Sequence, residues 1–133
     1  MTTKAKLCAP AEYWKLTPAA KAEICNGCGA RKGLKVPNRM WGLRIVEACN
    51  IHDYMYHVGS TEQDRQDADQ AFLNNLIRII EADSINFALL KFLRRWRAMT
   101  YYSTVRDFGG PAFWDEKNAP EEMMIPSTAL TPA

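Results

Sequence analysis

One break constrains this chain more than any other feature: Gly59-Ser60-Thr61, with a helical pattern on either side of it. Before the break, Ile45, Cys49, His52 and Tyr56 recur at i, i+4 and i, i+3 spacing, so a small apolar group, an imidazole and a phenol share one helix face. After the break, Asp69, Phe72 and Leu76 share a face in the same way. A fold-back at Ser60 or Thr61 makes an antiparallel pair of long helices in which residues equidistant from the turn come level. His52 and Asp69 are equidistant and are predicted neighbours. Asp53, one residue on, points off at roughly 100° from His52 and is available for a different role. Asp67 is the rival partner for His52, but it lies off the face that carries Phe72 and Leu76.

The rest of the chain reads as a mainly α domain around that pair, and its 133 residues suit a single core. Residues 1–11 show no periodicity, so 1–16 are expected to form an N-terminal arm. Thr17-Pro18 is a helix start, with threonine as cap and proline at the first helical position, and predicts a short helix to about Cys25. Gly27, Gly29 and Gly33 then open a loop ending near Pro37. From Asn38 or Trp41, the apolar positions Leu43, Ile45, Val46 and Ile51 support the first long helix, which ends near Gly59. Thr61, with Glu62 and Asp64 behind it, caps the second, and Phe72, Leu73, Leu76, Ile77 and Ile80 are its expected core residues.

A third, amphipathic helix is predicted from Asp83 or Ser84 to about Tyr102, burying Phe87, Leu90, Leu93 and Met99. Its stretch from Leu89 to Arg97 mixes cations with large apolar groups. That mixture fits a core helix with a solvated basic side, or an interfacial face that meets anionic lipid. It is too short and too charged to span a bilayer. The helical domain is expected over residues 17–109, followed by a Pro-rich, acidic tail over 110–133 that suits docking to a larger assembly. No strand of useful length is expected.

A net charge of +2 does not suggest a nucleic-acid partner. The opening residues lack the apolar run of a secretory signal, which predicts a chain that is cytoplasmic when synthesised. Four cysteines in a reducing compartment favour thiols or metal ligands over disulfides. Cys25-x-x-Cys28 followed by Cys49-x-x-His52 has the spacing of a Cys3His zinc site. Under that reading the chain is a small zinc-stabilised binding or scaffold module, and Asp69 orients the ligating imidazole. Cys8 is expected to be a buried or free thiol, and His57 a surface residue in a helix-terminal turn.

His52-Asp53-x-x-Tyr56, followed by Asp69-x-x-Phe72 on the next helix, resembles the phospholipase A2 superfamily, over roughly Cys25 to Leu76. The resemblance implies calcium-dependent hydrolysis of a phospholipid sn-2 ester, with a phospholipid or membrane surface as partner. His52 would be the general base that activates water, Asp69 the carboxylate that orients it, and Tyr56 a supporting hydrogen bond to Asp69. Asp53 would bind Ca2+ together with backbone carbonyls of a Gly-rich metal loop, at Gly27, Gly29 and Arg31, because calcium needs six to eight oxygens. The Gly29 amide would help stabilise the oxyanion. A Cys28 to Cys49 disulfide is also implied. This chain departs from the family pattern Cys-Gly-x-Gly-Gly at Arg31 and Lys32, and its segment from Pro37 to His52 is longer than usual. Those departures fit a further possibility, a phospholipase-like fold without catalysis that serves as a virion or assembly protein. The stretches around Val36-Pro37 and Asn74-Asn75-Leu76 resemble small phage and prophage proteins, which implies release by lysis or carriage in a virion.

Overall fold

The computed structural model describes residues 6–25, 37–84 and 87–114. Most of these are helical, in a mainly α fold. In chain order, a 3₁₀ turn, Ala11–Lys15, leads to α1, Pro18–Ile24, and a two-stranded hairpin of β1, Arg39–Met40, and β2, Leu43–Arg44. Then come α2, Val46–Val58; α3, Glu62–Ala82; α4, Ala88–Phe108; and the single turn α5, Gly110–Phe113.

The α2–α3 hairpin is built by local chemistry at its turn. Thr61 Oγ1 accepts from the Asp64 amide at 3.0 Å, while Asp64 Oδ2 accepts from the Thr61 and Ser60 amides at 3.2 and 2.9 Å. These reciprocal bonds satisfy amides that the first helical turn leaves unpaired. The amides, Ser60 first, also hold the Asp64 carboxyl below its ordinary value. Gly59 is required for a different reason, since a Cβ there would stand 2.8 Å from the Phe113 ring and 3.0 Å from the Met55 carbonyl.

The largest apolar cluster lies between α2, α3 and α4, where Ile45, Ala48 and Cys49 meet Phe72, Leu76, Ile80, Ala98 and Val105. Tyr13, Ile51 and Tyr54 form a second cluster, and Tyr56, Ala68 and Phe113 a third. Phe72, Leu76 and Ile80 are buried on α3 as expected, with Leu73 and Ile77 at the rim.

Four features differ from the sequence expectation. The first long helix begins at Val46 rather than near Asn38 or Trp41, because the chain turns through the β1–β2 hairpin before it. Leu43 and Ile45 still reach the core from this extended segment. Second, residues 6–16 are docked rather than a loose arm. The Cys8 amide donates to Asn75 Oδ1 at 2.6 Å, Asn75 Nδ2 donates to the Cys8 carbonyl at 2.9 Å, and Tyr13 is buried.

Third, α4 runs Ala88–Phe108, and its inward positions are Arg94, Ala98, Tyr101 and Val105. Phe87 and Met99, expected in the core, are exposed, and Leu90 and Leu93 are half-buried. Fourth, α5 extends the packed body past residue 109, since Phe113 is fully buried against the Tyr56 ring. The zone expected as tail over 110–133 otherwise lies outside the described residues, apart from Trp114.

Candidate active site

His52 and Asp69 meet. His52 Nε2 lies 2.8 Å from Asp69 Oδ1, and the Tyr56 hydroxyl donates to the same oxygen at 2.6 Å. A carboxylate oxygen only accepts, so the Nε2 hydrogen points at Asp69, and in the neutral imidazole Nδ1 then carries the lone pair. The geometry follows from helix periodicity. His52 and Tyr56 stand one turn apart on α2, and α3 brings Asp69 level with the first.

Asp69 is fully buried and His52 is 8% exposed. The imidazole is held between rings, with centroids 4.1 Å from Tyr56 and 5.0 Å from Phe72. Burial, and then the neighbouring Asp69 carboxylate, push the Tyr56 phenol well above its ordinary value, so it remains a donor across the physiological range.

Asp69 Oδ2 has a different surrounding. It is buried and makes no hydrogen bond, and the Arg106 Nη1 from α4 lies 3.9 Å away. Arg65, one turn before Asp69 on α3, donates from Nη2 to the carbonyls of Val105 and Arg106 at 3.3 and 2.6 Å. It therefore ties down the end of α4 that carries Arg106. The sequence reading missed both arginines. Arg65 falls on the same i, i+4 face as Asp69, so a cation on a buried stripe was a signal for it, whereas Arg106 is brought in by tertiary packing.

Gly109 belongs to this shell as well. A Cβ there would come within 2.5 Å of the Tyr56 hydroxyl oxygen and of the Val105 carbonyl. The rival Asp67 is exposed and bonds Gln63 Nε2, and His57 is exposed in the last turn of α2.

Asp53 is half-buried and faces away from the dyad toward the first segment of the chain. Its charge is felt there: burial and then Asp53 push the Cys25 thiol up to about 11. Asp53 thus lies near Cys25. The candidate carbonyls of Gly27, Gly29 and Arg31, and the Gly29 amide, lie outside the described residues.

The cysteines are not arranged as the zinc reading requires. Cys49 is disulfide-bonded and offers no thiolate, Cys25 Sγ donates to the Asn50 carbonyl at 3.3 Å, and His52 Nε2 is taken by Asp69. Among the described residues, no three His, Cys, Asp or Glu side chains are grouped to hold a metal. The Cys3His set of Cys25, Cys28, Cys49 and His52 is therefore not formed here, and the expectation that all four cysteines stay reduced is corrected at Cys49. Cys8 and Cys25 are free thiols, and Cys28 lies outside the described residues.

The arrangement can accept a proton at one imidazole nitrogen while a buried carboxylate stabilises the imidazolium that results. Comparison of the chain with protein-family models, with curated proteins and with solved structures returns no match.

Proposed function

We propose that the chain is a phospholipase A2-like esterase that hydrolyses the sn-2 ester of a phospholipid in a calcium-dependent reaction. The observation that supports it most is the orientation of His52. Nε2 is committed to Asp69, Tyr56 steadies the same carboxylate oxygen, and Nδ1 is left as the base. Nδ1 removes a proton from water, the water oxygen attacks the ester carbonyl, and the proton is later returned to the leaving alcohol. Asp69 keeps the imidazole in the tautomer that allows this, and balances its positive charge while it holds the proton.

Asp53 fits the calcium this reading calls for. It is a hard carboxylate set one residue from the base, and it lies near Cys25, which precedes the Gly-rich segment in the sequence. Asp53 would hold the ion with the carbonyls of Gly27, Gly29 and Arg31. When bound, calcium polarises the ester carbonyl and neutralises developing negative charge. Phage lysis, genome entry through a membrane and toxin delivery would all use such an activity.

The test is hydrolysis of mixed phospholipid micelles with and without calcium, beside calcium titration by calorimetry. His52→Gln is expected to lower turnover about 10²- to 10⁴-fold while calcium binding persists. Asp53→Asn is expected to abolish calcium binding and activity together. Stoichiometric zinc in protein purified under reducing conditions, lost on Cys25→Ser or His52→Ala, would sink the esterase reading in favour of the zinc module.

A further inference from the structure

We propose that α4 and the tip of the β1–β2 hairpin form a docking surface for an anionic lipid bilayer. The surface stands apart from the dyad and does not rest on the hydrolytic reading. What carries it is an inversion of burial along α4. The helix turns Arg94 and Ala98 inward, whereas Leu89, Phe92 and Trp96 are 62%, 63% and 63% exposed and Met99 is 46% exposed. These four recur three, four and three residues apart, so they make one stripe on the side of α4 opposite the core. A contiguous stripe of large apolar groups is a site for a partner, since covering it is favourable.

Trp41, at the tip of the hairpin, stands beside Arg97 on one flank of α4. Its φ is 47°, a left-handed conformation that is an outlier for a bulky residue. That φ and the 86° of Gly42 are what the two-residue turn between β1 and β2 requires, and Arg94 donates from Nε and Nη2 to the Trp41 carbonyl at 3.2 and 2.8 Å, while Arg94 Nη1 is anchored on Asp83 at 2.7 Å. The arginine that displaces apolar groups from the α4 core is thus the post that presents the indole, which is 45% exposed.

Charge selects the occupant. From residue 84 to residue 106 the sequence contains no acidic residue. Lys91 and Arg95 flank one side of the stripe and share a single carboxylate, Glu81. Arg97 flanks the other side, 5.8 Å from the Trp41 ring centroid. On the hairpin, Arg39 and Arg44 are directly opposed across the strands, a like-charge pairing that an anionic partner relieves. An apolar stripe bordered by cations on long stems is the form of a helix lying in the plane of an anionic membrane, with tryptophan at the headgroup level.

A second copy fits less well. The stripe is about 15 Å long, short for an interface burying about 800 Å² per partner. An antiparallel pairing that stacks Phe92 on Trp96 also brings the flank of Lys91 and Arg95 against the same cationic flank of the second copy.

The test is co-sedimentation of the full chain with vesicles of ether-linked phosphatidylcholine, with and without ether-linked phosphatidylglycerol. Ether lipids lack the ester, so docking and hydrolysis are read separately. Binding to the phosphatidylglycerol vesicles is expected, with a blue shift of tryptophan emission and weakening at high salt. Phe92→Ser combined with Trp96→Ser is expected to lose binding and keep its helical circular dichroism. Arg97→Gln and Arg44→Gln, both at exposed positions, are each expected to weaken binding about five-fold. Equal binding to both vesicle types, or unaltered binding by these variants, overturns the proposal. So does a dimer in sedimentation velocity that the Phe92/Trp96 variant dissolves while wild type ignores vesicles, which would assign the stripe to a second copy.

Discussion

At Asp69 Oδ1, two donors converge on one buried oxygen, and this sets what each neighbour contributes. Tyr56→Phe removes one donor and leaves the ring in its contact with Phe113. A hydrogen bond to a charged group contributes about 1.5–3 kcal/mol, so urea unfolding of this variant is expected to show a loss in that range. Turnover should fall much less than in His52→Gln, because the phenol hydroxyl bonds the orienting carboxylate rather than the nitrogen that takes the proton. A stability loss below a few tenths of a kcal/mol would mean that the phenol is incidental. Cys25 offers a second test at the same scale. Its folded pKa of about 11 stands above the ordinary 9.0, so folding favours the neutral thiol. The stability this contributes is present below pH 9 and is lost as pH rises from there through 11. At pH 8, the thiolate fraction in the native protein is about a hundredth of that in the unfolded chain, so alkylation followed by mass spectrometry is expected to be correspondingly slow. Equal rates in native and urea-unfolded protein would contradict the burial that causes the shift.

At the scale of elements, α2 and α3 were legible because several signals agreed. The Gly59 break, the Thr61 cap and two matching apolar stripes all specify one hairpin, and its register brings His52 to Asp69. By contrast, α4 was misread because it is apolar on two faces. Periodicity locates stripes but does not say which is buried, and here Arg94, satisfied by Asp83 and the Trp41 carbonyl, decides it. The N-terminal docking was hidden for a similar reason, since one asparagine side chain, Asn75, makes it by tertiary hydrogen bonds. The α4–α5 junction yields a matched pair of variants. Gly109→Ala would press a methyl group against the Tyr56 hydroxyl and the Val105 carbonyl, whereas a Cβ at Gly110 meets nothing within 4 Å. Overpacking of this kind costs about 1–3 kcal/mol, so Gly109→Ala is expected to lower the melting temperature and, by shifting Tyr56, to reduce turnover. Gly110→Ala should change neither. Equal melting temperatures for the two variants would show that the junction is looser than the structure describes.

Across the whole molecule, three polar posts tie the apolar clusters together: Asp69 with His52 and Tyr56, Arg94 with Asp83 and Trp41, and Asn75 with Cys8. No described helix is long and apolar enough to cross a membrane. The redox state of the cysteines discriminates between the two classes of molecule this chain could be. A bridge at Cys49 ties α2 to another part of the chain, and in a domain of this size a disulfide contributes about 2–4 kcal/mol. A zinc module would need Cys49 as thiolate. Alkylation of the oxidised protein after unfolding is therefore expected to modify Cys8 and Cys25 alone, and alkylation after reduction to modify all four cysteines. Reduction is also expected to lower the urea midpoint while the dyad, built from α2 and α3 with no cysteine contact to its polar atoms, retains its arrangement. Four reactive thiols before reduction, in protein handled without reductant, would remove the bridge and return His52 to competition between a base and a ligand.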